Sequence, residues 1–256
     1  MTQLLNNIRI ILINTTHPGN IGSVARAMKV MGLSELHLVT PLKFPDAQAT
    51  AMASGADDIL HNAVVHDSLE SALEGVPLIL GTSARLRTLS MPQMDVRAAA
   101  ERAVIEASQH EVAILFGRER HGLLNEEMQR CHYLLNIPSN PGFSSLNLSQ
   151  AVQVVSYELR VAALGEAGLT KAPLDYSPVD ASQMERFFEH LEQALTDTRF
   201  LNPAQPKMLM ARLRRLYSRA RPDQNEINIL RGILAASQRA CATDFIKPEQ
   251  TPVVDE

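Results

Sequence analysis

The sequence predicts an α/β protein with a mostly parallel sheet covered on both faces, followed by a small all-helical domain. Three observations carry this prediction. Short apolar runs rich in β-branched residues alternate with segments of helical period from residue 8 to residue 164. Loops carrying Gly, Asn or Ser stand at Asn20–Arg26, Phe116–Gly122 and Ser144–Ser149, each following such a run. These residue types let a backbone approach a ligand closely. Beyond residue 180 the alternation has stopped and only helical patterns recur.

In chain order, Ile8–Asn14 suits a buried central strand, and the turn residues Thr16-His-Pro-Gly19 close it. Val24, Ala27, Met28 and Met31 recur at helical spacing over Asn20–Met31, with Gly32 as a stop. Met28 and Met31 read as core filling. A strand follows at Leu36–Val39, then a helix at Ala47–Ala53, a short strand at Ala63–Val65, a helix at Leu69–Leu73 and a strand at Leu78–Gly81. Next come a helix at Val96–Ser108, a strand at Val112–Phe116, a short helix at Asn125–Cys131 and a strand at Tyr133–Ile137. The loop Pro138–Ser145 opens a helix that runs to about Leu164. Ligands of such sheets sit beyond the carboxyl ends of the strands, where all three marked loops fall.

Gly165–Ser177 contains Gly, Pro and Thr with little periodicity, so the domain boundary belongs there. The expected organisation is a first domain at 1–165, a linker at 166–180, a helical domain at 181–242 and a poorly ordered tail at 243–256. Within the helical domain, Ala181–Leu195, Pro206–Ala220 and Gln224–Ala240 are helical by pattern. Leu209, Leu213, Leu216 and Ala220 form one apolar stripe there.

With 256 residues the chain can bury a substantial core without staples. Cys131 and Cys241 stand far apart without ligand-spaced partners, so neither a disulfide framework nor a metal site is supported. The N-terminus lacks a basic signal region, and no apolar run is long enough to span a bilayer. A soluble protein of a reducing cytoplasm is expected. The net charge of -4 hides a local asymmetry. Residues 1–165 carry 12 Lys/Arg against 15 Asp/Glu, whereas Arg199, Lys207, Arg212, Arg214, Arg215, Arg219 and Arg221 follow one another with no acid between them. That stretch is a candidate phosphate-binding surface, with a solvated helix face as the plainer reading.

Several enzyme classes are excluded by the loops. A dinucleotide fold needs G-x-G-x-x-G in its first turn and an acid after the second strand, but the chain has Pro18-Gly-Asn-Ile-Gly-Ser23 and Thr40-Pro-Leu42. A Walker lysine motif, a zinc ligand set and a G-x-S-x-G elbow are also missing.

Asn20-x-Gly-Ser-x-Ala-Arg26, Phe116-Gly-x-Glu-x-x-Gly122, and Ile137-Pro with Ser145-Leu-Asn147 resemble, in this order, the three motifs of the SPOUT methyltransferases, specifically the TrmH-like RNA ribose 2′-O-methylases. Gly117-Arg-Glu-Arg120, the Cys131-His-Tyr133 context, Leu213-Arg-Arg-Leu-Tyr-Ser-Arg-Ala-Arg221 and Asn228-Ile-Leu-Arg-Gly232 look like the TrmJ branch. The resemblance implies a C-terminal trefoil knot in the sheet, a homodimer, S-adenosyl-L-methionine as cofactor, and tRNA as partner. It implies methylation of the ribose 2′-hydroxyl of cytidine or uridine at nucleotide 32 of the anticodon loop. The alternatives are ribose methylation at another tRNA position or on ribosomal RNA, and a non-catalytic RNA-binding protein with the same fold.

By position, the resemblance places cofactor contacts at Thr82, Ser83 and Ala84 after the fourth strand, at Gly117 after the fifth, at Ile137 after the sixth, and at Ser144, Ser145 and Leu146. Gly117 is expected to permit close approach, and N–H groups of the last loop to hold the adenine and amino-acid portions. Thr82 and Ser83 also fit an ordinary turn. The expected catalytic group is Arg26, Ser145, Asn20 and Glu119. Arginine side chains stay protonated in proteins, so Arg26 is assigned to a phosphate or hydroxyl oxygen of the target, stabilising alkoxide character. Ser145 and Asn147 orient the sugar, although Asn147 equally suits a helix cap. Glu119 is expected to fix arginine side chains, Arg26 among them. Arg118 and Arg120 are assigned to anticodon-loop phosphates, with a pairing of Arg120 to Glu126 or Glu127 left open. His17 and His121 border the motifs and read as peripheral. In the basic stretch, Arg212, Arg215 and Arg219 share a helical face beside Tyr217, which predicts an electrostatic grip on RNA.

Overall fold

The computed structural model describes residues 2–83, 91–165 and 178–244. Ala84 and most of the expected linker and tail lie outside them. The chain forms two compact units, Met1–Asp175 with Asp180–Ser182, and Tyr176–Val179 with Gln183–Glu256.

The first unit is built on seven strands, β1 (Ile8–Ile13), β2 (Leu36–Val39), β3 (Val64–His66), β4 (Leu78–Thr82), β5 (Gln93–Asp95), β6 (Val112–Phe116) and β7 (Tyr133–Asn136). They lie in the order β3-β2-β1-β6-β4-β7-β5 and every pairing is parallel. The helices are α1 (Thr2–Leu5), α2 (Pro18–Met31), α3 (Ala47–Ala53), α4 (Asp57–His61), α5 (Leu69–Ala72), α6 (Val96–Ala107), α7 (Asn125–Gln129) and α8 (Leu148–Gly165).

The apolar runs of the central strands do not alternate because both sheet faces are covered. In β1, Ile8, Ile10 and Leu12 join the core formed with α2, α3, α6 and α8. Ile11 and Ile13 point the other way, into a second core with Leu69, Leu73 and Met128. Side-chain caps start several helices. Asp95 accepts from Arg97 and Ala98 N–H at 3.0 Å, and Asp46 accepts from Gln48 N–H at 2.8 Å. Gly32 ends α2 at φ 84°, a left-handed conformation that suits glycine.

Close packing of α2 on α3 explains the first-motif glycine. A Cβ on Gly22 would lie 1.9 Å from the Ala49 carbonyl oxygen. The sequence reading missed β5, α1 and α4, which are three to five residues long and carry no sustained apolar period. The strands before Gly117 and Ile137 are therefore the sixth and seventh.

The second unit contains α9 (Ala181–Asp197), α10 (Leu209–Ala220) and α11 (Gln224–Asp244). Its core holds Phe187, Phe188, Leu191 and Ile227, with Met210, Leu213, Tyr217 and Leu230 packed against them. The inward face of α10 thus differs from the expected stripe. Leu216 and Ala220 are exposed, whereas Tyr217 sits edge-on against Phe187 with ring centroids 4.9 Å apart. At the start of α11, Asp223 and Glu226 cap one another, side chain to backbone N–H, at 2.8 and 2.9 Å.

Candidate active site

Strands β1, β6, β4 and β7 are consecutive neighbours in the sheet, so the loops leaving their carboxyl ends stand side by side. A cleft opens among three of them. It is lined by Thr82 and Ser83 after β4, Gly117–Leu123 after β6, and Ile137 with Ser144–Leu146 after β7. Seven of the eight residues expected at a cofactor therefore share one cavity, and the eighth, Ala84, lies outside the described residues. Phe116, Leu135, Leu148 and Ala151 complete the apolar wall. Phe116 opens the second motif; the sequence reading did not single out the other three, although Leu148 and Ala151 were accessible as the first turn of a capped helix.

Glu119 is the anchor of the cleft's rim. Its carboxylate accepts from Thr16 and His17 N–H at 3.2 Å and from Asn20 Nδ2 at 3.1 Å. Burial opposes its ionisation, but its own backbone N–H, the Asn20 amide and the N–H groups of His17 and Thr16 outweigh that and hold the carboxyl below its ordinary range. Within one subunit Glu119 meets no arginine among the described residues: its partners are the loop and amide that open α2, because β1 and β6 are adjacent, which leaves an arginine reaching it across a subunit boundary as the remaining form of the expectation. Asn20 Oδ1 in turn accepts from Asn147 Nδ2 at 3.2 Å. Asn147 Oδ1 takes Ser149 N–H at 2.9 Å and Ser149 Oγ at 2.8 Å, capping α8. Asn147 thus forms the cap that was one of its two expected roles, and it also orients Asn20. The relay Glu119–Asn20–Asn147 joins all three motifs within one subunit.

Other residues hold the loops themselves. Arg118 pairs with Glu127 at 2.9 Å and donates to Asn14 Oδ1, bracing the loop after β6 rather than pointing outward. Arg120 is exposed, and Glu127 is taken by Arg118. A Cβ on Gly117 would lie 2.0 Å from Gly122 C and 2.2 Å from Leu123 N. The immediate reason for glycine is therefore the loop's own closure, which Arg118 and Gly122 complete with reciprocal backbone bonds of 3.2 and 2.8 Å. The Thr82 hydroxyl donates to Leu115 O at 2.9 Å, and Asn136 Nδ2 donates to Ser83 O at 2.9 Å. The N–H groups of Ser144, Ser145 and Leu146 meet no hydrogen-bond partner among the described residues, and all three residues line the cleft.

Arg26 is not brought into this cleft. It is exposed on α2, about 9 Å along the helix from Asn20. There it lines a separate groove with Ser23, Val30, Ser149, Gln150 and Gln153.

In the second unit the basic residues divide. Arg214 pairs with Glu185 at 2.6 Å and lies 4.5 Å above the Phe188 ring. Arg221 is buried with φ 51°, at the end of α10. Both are thereby committed to the domain's own packing. Lys207, Arg212 and Arg219 are exposed and Arg215 is half-buried.

A parallel sheet whose loops after β4, β6 and β7 surround one cleft, with the start of α2 tied to the cleft rim through Asn20 and Glu119, is the arrangement the resemblance to SPOUT-class methyltransferases implies. Residues 7–157 match the SpoU rRNA Methylase family and residues 182–251 match the C-terminal domain of the tRNA methyltransferase TrmJ. The chain belongs to the SpoU rRNA methylase family and, within it, to the TrmJ branch. It is 53% identical over 237 residues to the tRNA (cytidine/uridine-2′-O-)-methyltransferase TrmJ of Photorhabdus laumondii, covering 92% of this chain and 98% of that one. It is 51% identical over 254 residues to the TrmJ of Sodalis glossinidius, covering 98% and 97%. Among solved structures, TrmJ from Z. mobilis ZM4 superimposes with a TM-score of 0.78 at 32% identity, covering 89% of this chain and 97% of that one. No helix among the described residues is long and apolar enough to cross a membrane.

Proposed function

We propose that this protein is a cytoplasmic tRNA (cytidine/uridine-2′-O-)-methyltransferase that uses S-adenosyl-L-methionine to methylate the ribose 2′-hydroxyl of nucleotide 32 in the anticodon loop. The observation that carries this reading is the cleft built from the loops after β4, β6 and β7, the last two carrying the second and third motifs, in a chain similar to TrmJ proteins over nearly its full length. The residues present suit the cofactor. Unspent N–H groups of Ser144, Ser145 and Leu146 match its polar portions, and the apolar wall of Leu135, Ile137 and Leu148 matches a flat heterocycle. When bound there, S-adenosyl-L-methionine supplies an electrophilic methyl group. Ser145 orients the target sugar at the cleft mouth, and Arg26 stabilises negative charge developing on the 2′-oxygen.

Arg26 lies outside the cleft of its own chain, and this supports a homodimer in which it completes the partner's site. Val154, Tyr157, Val161 and Leu164 recur in three- and four-residue steps along α8 beside Val30 of α2, and all but Val154 are exposed. The implied trefoil knot is supported by the position of β7, which lies between β4 and β5 although those two strands precede it in the chain. A domain division at 1–165 and 181–242, with 166–180 as linker and 243–256 as tail, is proposed with it. The exposed residues Lys207, Arg212 and Arg219 make the second domain a tRNA grip.

The test is methylation of bulk tRNA from a strain lacking this protein with labelled methyl donor, followed by mass-spectrometric mapping. Label on the ribose of C32 or U32 is expected. Label at another tRNA position or on ribosomal RNA would replace the assigned target, and absence of transfer would leave an RNA-binding protein.

A further inference from the structure

We infer that Phe143 is a stacking platform for the RNA base nearest the target ribose. The inference rests on the RNA substrate proposed above and adds a residue that no motif contains. Phe143 is 81% exposed, more than any other large apolar side chain among the described residues. The exposure is built rather than incidental. Asn140-Pro-Gly-Phe143 forms a turn closed by Phe143 N–H donating to Asn140 O at 2.9 Å, with Proline at its second position. Asn140 Oδ1 accepts from Gly142 N–H at 3.0 Å, and Ser139 Oγ donates to Ser144 O at 3.2 Å. A braced turn therefore holds one aromatic ring out into solvent.

Its place decides what it meets. Phe143 stands two residues before Ser145, and two residues span at most about 7 Å, so the ring lies within a nucleotide's length of the cleft mouth. Asn140, Pro141, Gly142, Ser145 and Asn147 around it in sequence are exposed, and Pro141 of the turn and Leu146 are the apolar side chains among its near neighbours. That is unlike the continuous apolar stripe of α8, which suits a protein partner. A single flat ring in polar surroundings suits a single flat partner, and anticodon-loop bases are unstacked or readily splayed. Stacking makes no hydrogen-bond selection, so a platform of this kind accepts either pyrimidine.

The chain contains no tryptophan, which makes Phe143→Trp a single-reporter protein. The full-length variant is titrated with tRNA lacking the modification, without methyl donor, while its emission is read. The expected result is solvent-exposed emission in the free protein and strong quenching on binding. In parallel, Phe143→Ala is expected to weaken tRNA affinity about ten-fold and raise KM for tRNA, with kcat, cofactor affinity and dimer mass unchanged, whereas Phe143→Tyr restores binding. Emission that ignores bound tRNA, or a Phe143→Ala protein that binds like wild type, overturns the inference. A Phe143→Ala protein that falls to monomers also overturns it and makes the ring a subunit contact. If the unaltered protein fails to bind tRNA, the proposed function falls, and this inference falls with it for that separate reason.

Discussion

Both polar atoms of the Asn20 amide are spent, one donated to Glu119 and one accepting from Asn147. Asn20 is thus a node between Glu119 and Asn147, and in the proposed catalytic group it would be a positioning residue. Replacing Asn147 with Leu removes the α8 cap and frees the Asn20 amide to rotate. A stability loss of about 1 kcal/mol is expected from the cap. Turnover should fall at least about ten-fold while cofactor affinity stays near normal, as read by single-turnover assay and calorimetry. Unchanged turnover would reduce the relay to a cap. The role proposed for Arg26 makes a different demand, because a planar fork and a point charge are not equivalent at a developing oxyanion. Arg26→Lys is expected to cost about 100-fold in kcat, and a variant retaining near-full turnover would remove Arg26 from the chemistry.

At the level of elements, Gly22 sets the approach of α2 to α3. Gly22→Ala forces the Ala49 carbonyl aside and should destabilise the fold by about 2 kcal/mol, measured by urea denaturation. The outer strands carry a titrating pair. His37 Nδ1 and His66 Nε2 are 2.9 Å apart across β2 and β3. Burial, then the Arg9 charge, then His66 push His37 from 6.5 down to about 4. A histidine depressed in the folded state takes up its proton sooner when unfolded. Its contribution is present above pH 6.5 and lost as pH falls toward 4. The urea midpoint should drop across that window, and His37→Leu should flatten the drop. An equally steep drop in the variant would assign it to other groups.

The same scale explains what sequence could reveal. Long β-branched runs and capped helices were legible because their signals are local, and so were the loops after β6 and β7, whereas Asn20–Arg26 proved to be part of α2. The partners of Glu119 were not, since Thr16 and Asn20 lie about a hundred residues away and meet it only because β1 borders β6. In α10 the wrong face was chosen because leucines occupy both sides, and the packing of Tyr217 on Phe187 decided between them.

For the whole molecule, the net charge of -4 conceals a concentration of basic residues in the second unit, the proposed tRNA grip. Arg212 and Arg219 are exposed, while Arg214 and Arg221 serve packing. Arg212→Glu with Arg219→Glu should weaken tRNA binding strongly at low salt and reduce the slope of log affinity against log salt by about 1.5. Filter binding at several salt concentrations measures this, and an unaltered slope would place the phosphate contacts elsewhere. Arg214→Ala should act through loss of its pair with Glu185 and its stacking on Phe188, lowering stability before it alters the salt slope.

Strand β5 has a single neighbour in the sheet, β7, and β7 also supplies one wall of the cleft. During synthesis, β1, β4 and β6 emerge and can pair while β5 waits without a partner. Once Tyr133–Asn136 docks, the last strand shelters β5 and brings the loop of Ser144–Leu146 beside the others in one event. A chain whose sheet still lacks β7 therefore lacks one wall of the cleft, so the cleft and the shelter of β5 are completed by the same strand.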